Sequence, residues 1–301
     1  MRHRAGGAER ADAIAVDIVK MSPDGDGLAR LEGEDLFVPY AIPGERVEVA
    51  VHRGRDGALA GELVRVVRAS PDRITPRCRH FGYCGGCAWQ HIAYPAQLRH
   101  KQAMLQEMLA ASMGAAAPAV LPTVPTPPRA GARESGSDTR PGQADGPVEP
   151  WGYRDKVSFV FAPAGRQPLV MGHYRRGTRS AFAAGECPVH AEAGNEVAFR
   201  LRDALVRAGV PAAAPDGRNG IARHVVVRVA EGTGDRLATL VVTENVTPLR
   251  RVTGDMERFE RQMSSRPVAG TQPPRFGFHL NLHDRADGFL FGRETKRLFG
   301  P

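Results

Sequence analysis

The four cysteines are the feature that most restricts how this chain can fold. Cys78, Cys84 and Cys87 form a C-x5-C-x2-C pattern, and Cys187 lies one hundred residues further on. Four thiolates are the ligand set of a tetrahedral zinc ion or of an iron–sulfur cluster. Zinc ribbons use two close pairs of cysteines, whereas here one half is a single remote cysteine. The spacing therefore favours a cluster over zinc.

Zinc remains the alternative that the spacing leaves open. In that case three of the cysteines bind zinc together with His80 or His91, and Cys187 is a thiol of the core. The chain has no apolar run long enough to span a membrane and no apolar segment after its N-terminus, so we expect neither a membrane protein nor a secreted one. In the cytoplasm, where we place the protein, cysteines are more often ligands than disulfides.

The charge balance points weakly to nucleic acid. The 41 Lys and Arg residues outnumber the 33 Asp and Glu residues, which gives a formal net charge of +8. A basic protein favours a polyanionic partner such as RNA. Only four of the cations are lysine, however, and the chain is rich in Gly, Ala and Pro, which is the composition that a GC-rich gene produces. Charge alone therefore raises the expectation of RNA binding only modestly.

The apolar pattern divides the chain into four parts. Residues 1–70 contain short alternating strands with turns between them, which is typical of a small β-barrel. Residues 71–109 hold the cysteine loop and a helix, on which Leu98, Leu105 and Leu109 share one face. Residues 110–150 contain eight prolines and no aromatic residue, so we expect a disordered insertion. Residues 151–301 alternate strands and helices and predict a mixed α/β domain.

Several segments resemble one known family. The sequence CGGCAWQH at residues 84–91 closely resembles the iron–sulfur segment of bacterial RNA uracil-5-methyltransferases. The resemblance continues in DGDGLAR (24–30), VPYAIPGE (38–45), YRDK (153–156), GHYRRG (172–177) and GECP (185–188). It covers nearly the whole chain apart from residues 110–150. The first two of these further segments resemble the TRAM domain, an RNA-binding barrel.

The resemblance implies a fold, a cofactor and a partner. The expected fold is α+β: an OB-like TRAM β-barrel, an iron–sulfur loop and a central RNA-binding α/β domain. All four cysteines would be ligands of a 4Fe-4S cluster. The expected partner is RNA, with ribosomal RNA favoured over transfer RNA, and we expect a monomer that does not bind membranes.

Candidate RNA contacts lie in the segments that carry the resemblance. Their cations would bind phosphates and position the RNA backbone, and their aromatic rings would stack on unpaired bases. The alternative for each cation is a solvated basic face, and the alternative for each ring is packing around the cysteines. The residues are Arg154, Lys156, Arg175, Arg176, Phe81 and Tyr83.

The sequence lacks the features that the family uses for catalysis. If all four cysteines bind a cluster, none is free to attack uracil, and no glycine-rich strand–loop–helix is present to hold S-adenosylmethionine. We therefore expect no catalytic residue, no S-adenosylmethionine site and no C-terminal Rossmann-like methyltransferase domain in this chain. The prediction is a truncated N-terminal part of such an enzyme, inactive alone, with a separately encoded methyltransferase domain as a further partner. The alternative is a stand-alone iron–sulfur or zinc module that binds RNA or senses redox state.

Overall fold

The computed structural model describes residues 13–54, 57–127, 151–165, 167–214, 219–265 and 273–301. The chain divides into two compact units. Met1–Gly82 and Cys87–Pro127 belong to the first unit, while Tyr83–Gly86 and Pro150–Pro301 belong to the second. No helix within the described ranges is long and apolar enough to cross a membrane.

The first unit contains a sheet of six short strands. These are β1 (Ile14–Asp17), β2 (Lys20–Met21), β3 (Gly27–Leu31), β4 (Glu34–Val38), β5 (Arg46–Arg53) and β6 (Leu59–Arg68). Their order is β1-β5-β6-β4-β3-β2, and only β4 and β6 run parallel to each other. In β5 the buried Val47 and Val49 alternate with the more exposed Glu48 and Ala50, so one face of the strand points into a core.

This sheet closes into a barrel because its two outer strands, β1 and β2, follow each other directly in the chain. β1 pairs with β5 and β2 pairs with β3. The two residues that connect β1 to β2 continue this pairing, since the backbone N–H of Ile18 donates to Glu45 O at 2.9 Å and that of Val19 donates to Leu28 O at 2.8 Å. A closed barrel leaves no strand edge unpaired. Its core consists of Val16, Ile18, Ala29, Leu36, Val38, Ala41, Val47 and Val49.

A buried ion pair joins the barrel to the segment that follows it. The Glu45 side chain is fully buried and accepts a hydrogen bond from Arg73 Nη2 at 2.7 Å. It also accepts the backbone N–H groups of Ile42 at 3.1 Å and Ser70 at 3.3 Å. Arg73 Nη2 donates in addition to the carbonyl oxygen of Tyr40 at 2.7 Å. These bonds supply the partners that a buried charge requires.

Helix α1 (Tyr94–Met113) follows, and only its beginning is buried. Pro95 stands in its first turn, where a missing N–H breaks no helical hydrogen bond. Burial ends at Leu98, whereas Leu105 is 47% exposed and Met108 is 53% exposed. The apolar spacing therefore predicts the helix correctly, but Leu98 is the one leucine of its predicted apolar face that is buried.

The residues after α1 run back along the helix. Gln102 Nε2 donates to the carbonyl oxygen of Val120 at 2.8 Å, and Gln106 Oε1 accepts the N–H of the same residue at 2.7 Å. Closer to the start of the helix, the hydroxyl of Tyr94 accepts the N–H of Thr126 at 2.8 Å. Because these contacts follow the helix in reverse order, the returning segment is antiparallel to α1.

The structure differs here from the expectation of an unpacked segment over residues 110–150. α1 continues to Met113, and the returning segment is hydrogen-bonded to it. A high proline content indicates poor burial, but it does not reveal hydrogen bonds from glutamine side chains to backbone groups. Residues 128–150 lie outside the described residues, so disorder there stays a prediction.

The described residues of the second unit form a sheet of seven strands and two helices. Its elements are β7 (Lys156–Ala164), β8 (Gln167–Tyr174), β9 (Ala181–Ala183), α2 (Glu192–Arg207), β10 (Ala222–Val229), β11 (Arg236–Val242), α3 (Leu249–Ser264), β12 (Phe276–Leu282) and β13 (Glu294–Phe299). The strand order is β13-β12-β11-β10-β7-β8-β9. Only β11 and β12 are parallel, and α3 lies between them in the chain, as a parallel connection requires.

Both helices pack on the same face of this sheet. Arg236 Nη1 of β11 forms an ion pair with Glu196 Oε2 of α2 at 2.7 Å. The rings of Phe259 in α3 and Phe276 in β12 lie 5.9 Å apart. Between helices and sheet lies an apolar core that includes Phe159, Leu201, Leu205, Val225, Val227, Leu240, Met256 and Phe278.

The opposite face of the sheet has no helix against it within the described part of the second unit, and we call it the open face for that reason alone, since Val160, Val241 and Asn281 on it are buried. Strand pairing aligns Val160, His224, Val241 and Asn281 across it, since paired residues share a face. Among the described strand residues that share this face none is acidic, and the same register places three cations on it. These are Lys156, Arg228 and Arg297.

Candidate functional site

The first cysteine segment is attached to the barrel through Trp89. The indole Nε1 donates to the carbonyl oxygen of Gly25 at 2.7 Å. Gly25 has φ +86°, and a Cβ there would lie 2.8 Å from the same indole nitrogen, so the turn requires glycine. On the cysteine side, the N–H of Cys78 donates to Gln90 Oε1 at 3.1 Å. The sequence motifs DGDG and CGGCAWQ are therefore in direct contact.

A neutral histidine lies within this segment. His91 is 2% exposed, and its ring centroid lies 5.3 Å from that of Phe81 and 6.2 Å from that of Tyr40. Burial, reinforced by the charge of Arg73, lowers the pKa of His91 to about 3. Phe81 also contacts Tyr40, at 5.1 Å. Phe81, which the sequence analysis predicts to stack on RNA bases, thus has two aromatic neighbours inside the first unit.

Tyr83–Gly86 forms part of the second unit and pairs with the end of β8. The N–H of Gly85 donates to Tyr174 O at 3.0 Å, and the N–H of Arg176 donates to Tyr83 O at 2.9 Å. Cys84 and Arg175 face each other in this antiparallel bridge. The Arg175 guanidinium lies 5.5 Å from the centroid of the Tyr83 ring. Three of the six predicted RNA contacts, Tyr83, Arg175 and Arg176, are therefore brought together.

The remote cysteine lies in a loop that α2 holds in place. Asn195 Nδ2 donates to the carbonyl oxygen of Cys187 at 2.9 Å, and Asn195 Oδ1 lies 3.1 Å from His190 Nδ1. Arg154 reaches this loop through its backbone, because its N–H donates to Val189 O at 2.8 Å. The sixth predicted contact, Lys156, lies instead on the open face. The candidate RNA contacts thus fall into separate groups.

A substitution at Gly194, at the start of α2, tests how tightly this loop is packed. We expect Gly194→Ala to destabilise the second unit, although alanine normally favours a helix by about 0.5–1 kcal/mol over glycine. A Cβ at Gly194 would lie 2.2 Å from Nε2 of His190, a ring that is 1% exposed and has Asn195 beside it. The measurement is the midpoint of thermal unfolding.

Gly254 in α3 provides the matched control for this substitution. The nearest atom to a Cβ there is Arg258 Nη1 at 3.7 Å, which is an ordinary contact. We expect Gly254→Ala to raise the midpoint slightly, while Gly194→Ala lowers it. Two shifts of the same sign would show that the loop around His190 adjusts to the added methyl group.

The cysteines do not form a metal site in the described structure. Cys78, Cys84 and Cys87 are partly exposed, and Cys187 is buried. Cys78 and Cys87 belong to the first unit, whereas the other two belong to the second. Among the residues that the structure describes, no group of three or more His, Cys, Asp or Glu side chains is placed to hold a metal ion.

The N-terminal barrel matches a known domain family. The family model for the TRAM domain matches residues 10–64, which include all of β1 to β5 and most of β6. The chain contains a TRAM domain.

Relatives with longer chains match almost all of the sequence. An uncharacterized RNA methyltransferase of Gloeobacter violaceus is 30% identical over 98% of this chain and 58% of its own length. One of Halalkalibacterium halodurans is 28% identical over 96% of this chain and 56% of its own. The chain with the TRAM domain thus spans little more than half the length of these curated relatives.

A solved structure shares the fold. The crystal structure of Pyrococcus abyssi tRNA (uracil-54, C5)-methyltransferase in complex with S-adenosyl-L-homocysteine superposes with a TM-score of 0.60. The match covers 95% of this chain and 55% of the neighbour at 17% identity. At this identity the similarity shows the fold.

The predictions of a missing domain and of a truncated module are wrong. We predicted the absence of a Rossmann-like methyltransferase domain and a chain that is a truncated part of an enzyme or a stand-alone module. Instead, RNA methyltransferases match 96–98% of this chain in sequence, and a methyltransferase matches 95% of it in fold. The end of a given sequence is no ground for inferring that the protein lacks a domain. A separately encoded methyltransferase partner has no support either.

The cofactor prediction is wrong as well. A 4Fe-4S cluster requires four sulfur atoms that converge, and the described residues show no such ligand group. Spacing along a chain shows only which ligands exist, so a ligand role for the four cysteines stays a prediction. The exclusion of S-adenosylmethionine is overturned by the neighbour, which was crystallised with S-adenosyl-L-homocysteine and whose fold covers 95% of this chain.

Proposed function

We propose that the protein is an RNA methyltransferase that transfers a methyl group from S-adenosylmethionine to carbon 5 of uracil, and that the described residues bind the RNA. The main support is the similarity to relatives named RNA methyltransferases along 96–98% of the chain. The TRAM domain and the net charge of +8 agree with an RNA substrate. The shared fold with a tRNA (uracil-54, C5)-methyltransferase supports the reaction class.

The group formed by Tyr83, Arg175 and Arg176 is suited to hold an RNA backbone. Tyr83 is 38% exposed, and its ring also packs edge-on against Phe182 at 4.8 Å, which fixes its position. A guanidinium above an aromatic ring keeps its N–H groups directed outward in the plane, where they donate to phosphate oxygens. Such contacts would set the position of the RNA without reading its sequence.

S-Adenosylmethionine, when bound, supplies an electrophilic methyl group. The described residues contribute binding and orientation of the RNA. Orientation matters because holding a uracil ring at the donor converts a bimolecular encounter into an effectively unimolecular step.

The proposal predicts that the gene is required for a methylated nucleoside. We expect deletion of the gene that encodes this chain to remove 5-methyluridine from at least one RNA fraction of the host cell. The measurement is nucleoside mass spectrometry on separated ribosomal and transfer RNA. The fraction that loses the signal also decides between the two substrates.

Re-expression of the intact gene is the control and should restore the signal. Loss of a different methylated nucleoside would contradict uracil carbon 5 as the target. Unchanged 5-methyluridine in both fractions would contradict the proposed function.

A further inference from the structure

A cavity of about 250 Å³ opens at the end of the open face where β7, β8 and β10 meet. Its walls include Val160 of β7, Tyr174 at the end of β8, Arg179 and Ser180 of the following turn, and His224 of β10. Val160 and His224 are paired neighbours on the open face. No local sequence pattern indicates this cavity, because its walls come from distant strands.

The cavity combines an aromatic ring, a cation and an imidazole. Tyr174 is 37% exposed and lines the cavity. Arg179 is exposed and, among the described residues, none forms an ion pair with it. None of the described residues that line the cavity carries a carboxylate. An anion near Arg179 therefore meets a cation with no negative charge beside it in this described lining.

His224 is neutral in this cavity. Burial, with the charges of Arg223 and His283 as smaller contributions, lowers the pKa of His224 to about 4. A neutral imidazole carries one donor and one acceptor, which suits the polar edge of a nucleobase. No hydrogen bond to either ring nitrogen is present within the described chain. Both nitrogens are therefore available to a ligand.

Arg223 forms a fixed part of the cavity wall. It is 7% exposed, and its Nη1 donates to the carbonyl oxygens of His283 at 2.8 Å and Arg285 at 2.5 Å. The acceptors of these bonds are carbonyl oxygens and not carboxylates, so they do not balance the charge of the guanidinium beside the cavity. The two hydrogen bonds fix the position of this positive charge.

The size of the cavity limits what it can hold. Clefts that take drug-sized ligands measure about 300–1,000 Å³, so a cavity of about 250 Å³ suits a smaller group. A single nucleobase fits this limit, and a complete S-adenosylmethionine molecule does not. Unpaired bases in RNA are typically held by stacking on an aromatic ring, hydrogen bonds to the base edge and a cation on the phosphate.

We infer that this cavity binds one unpaired nucleotide of the RNA, with its base on Tyr174 and against His224 and its phosphate at Arg179. The inference rests on the proposed function for the identity of the ligand as RNA. It makes this cavity the place where unpaired RNA is distinguished from paired RNA, because a base within a duplex is stacked on both sides and cannot stack on Tyr174.

The test is a binding titration with two RNA probes of equal length, one single-stranded and one fully paired. We expect Tyr174→Ala to weaken binding of the single-stranded probe by about tenfold, since stacking on one aromatic ring is worth roughly this factor or more. Binding of the paired probe should stay unchanged. Tyr174→Phe keeps the ring and should bind the single strand like the wild type.

Arg179→Ala tests the phosphate contact separately. We expect it to weaken binding of the single-stranded probe and to reduce the salt dependence of that binding by about the amount of one phosphate contact, while the paired probe is unaffected. Tyr153→Ala and Arg250→Ala remove an exposed tyrosine and an exposed arginine outside the cavity. These two controls should leave the preference between the probes unchanged, and circular dichroism checks that each variant is folded.

The outcomes separate the cavity from the proposed function. Wild-type affinity of Tyr174→Ala for the single strand would overturn the cavity as a nucleotide site, while RNA binding and methylation stand. If Tyr174→Ala does not fold, a photo-crosslink from a 4-thiouridine probe to the wild-type protein decides. Attachment at residues of the cavity supports the inference, and attachment only elsewhere overturns it. A wild-type protein that binds neither probe would overturn both proposals.

Discussion

Replacing Glu45 by glutamine is expected to lower the free energy of unfolding of the first unit by about 3–5 kcal/mol. The carboxylate is fully buried and has Arg73 and two backbone N–H groups as its partners. Glutamine has nearly the same shape but no charge, so the guanidinium would lose its counter-ion while its own side chain remains mostly buried. The loss would also loosen the link between the barrel and the first cysteine segment.

This effect can be measured by urea unfolding with Trp89 as the probe. Trp89 belongs to the first unit, and a Trp151→Phe background removes the only other tryptophan. Glu34→Gln is the control, because the ion pair of Glu34 with Arg53 lies on the same barrel with both side chains more than half exposed. We expect no measurable change for that variant. Equal effects of the two substitutions would show that burial does not determine the strength of these pairs.

A methyl group added at Gly172 should separate β9 from the sheet. The Cβ of an alanine there would lie 1.8 Å from the carbonyl oxygen of Phe182 and 2.7 Å from the backbone nitrogen of Ala184. Both atoms belong to the backbone, so no side-chain rotation relieves the overlap. We expect Gly172→Ala to cost about 3 kcal/mol of stability in the second unit. The edge contact between Phe182 and Tyr83 would be lost with it.

Hydrogen exchange gives the local measurement for this prediction. The N–H of Ala184 donates to Met171 O at 3.0 Å, and that of Arg175 donates to Ser180 O at 2.9 Å. Both amides should exchange faster in Gly172→Ala. Gly232→Ala is the control, because nothing lies within 4 Å of a Cβ at that position. Unchanged protection of both amides would mean that the two strands shift together and remain paired.

The regular elements were largely predictable from the sequence. The apolar spacing predicts a helix over residues 192–208, and α2 spans Glu192–Arg207. The predicted strand over 276–282 coincides with β12. These elements are predictable because their apolar side chains repeat along the sequence with the period of the helix or of the strand.

What covers an element was not predictable from its own pattern. Leu105 lies on the predicted apolar face of α1, yet it is 47% exposed. The segment that returns along α1 is held by hydrogen bonds to glutamine side chains and leaves this leucine uncovered. The pairing of β13 with β12 was also missed. The first four residues of β13, Glu294 to Arg297, are all exposed. The strand therefore has no alternation of apolar and polar residues that would indicate its partner.

The candidate site was predictable only in part, since its residues meet through tertiary contacts. Neighbours in one motif, such as Arg175 and Arg176, stay together in the structure by chain connectivity. Tyr83 joins them through backbone pairing that no local pattern indicates. The cavity residues Tyr174 and His224 come from different strands, and their proximity follows from the strand order.

The four residues Tyr83–Gly86 also have a consequence for the order of events during synthesis. Their backbone partners, Tyr174 and Arg176, leave the ribosome long after them, at translation rates of about 5–20 residues per second. For a period on the order of seconds the nascent chain therefore carries the Cys84 thiol without the strand that later holds it. The TRAM barrel, whose pairing partners all precede residue 70, can already be complete in that interval. A slow or stalled ribosome would lengthen the exposure of this thiol to oxidants, before the second unit exists to shelter it.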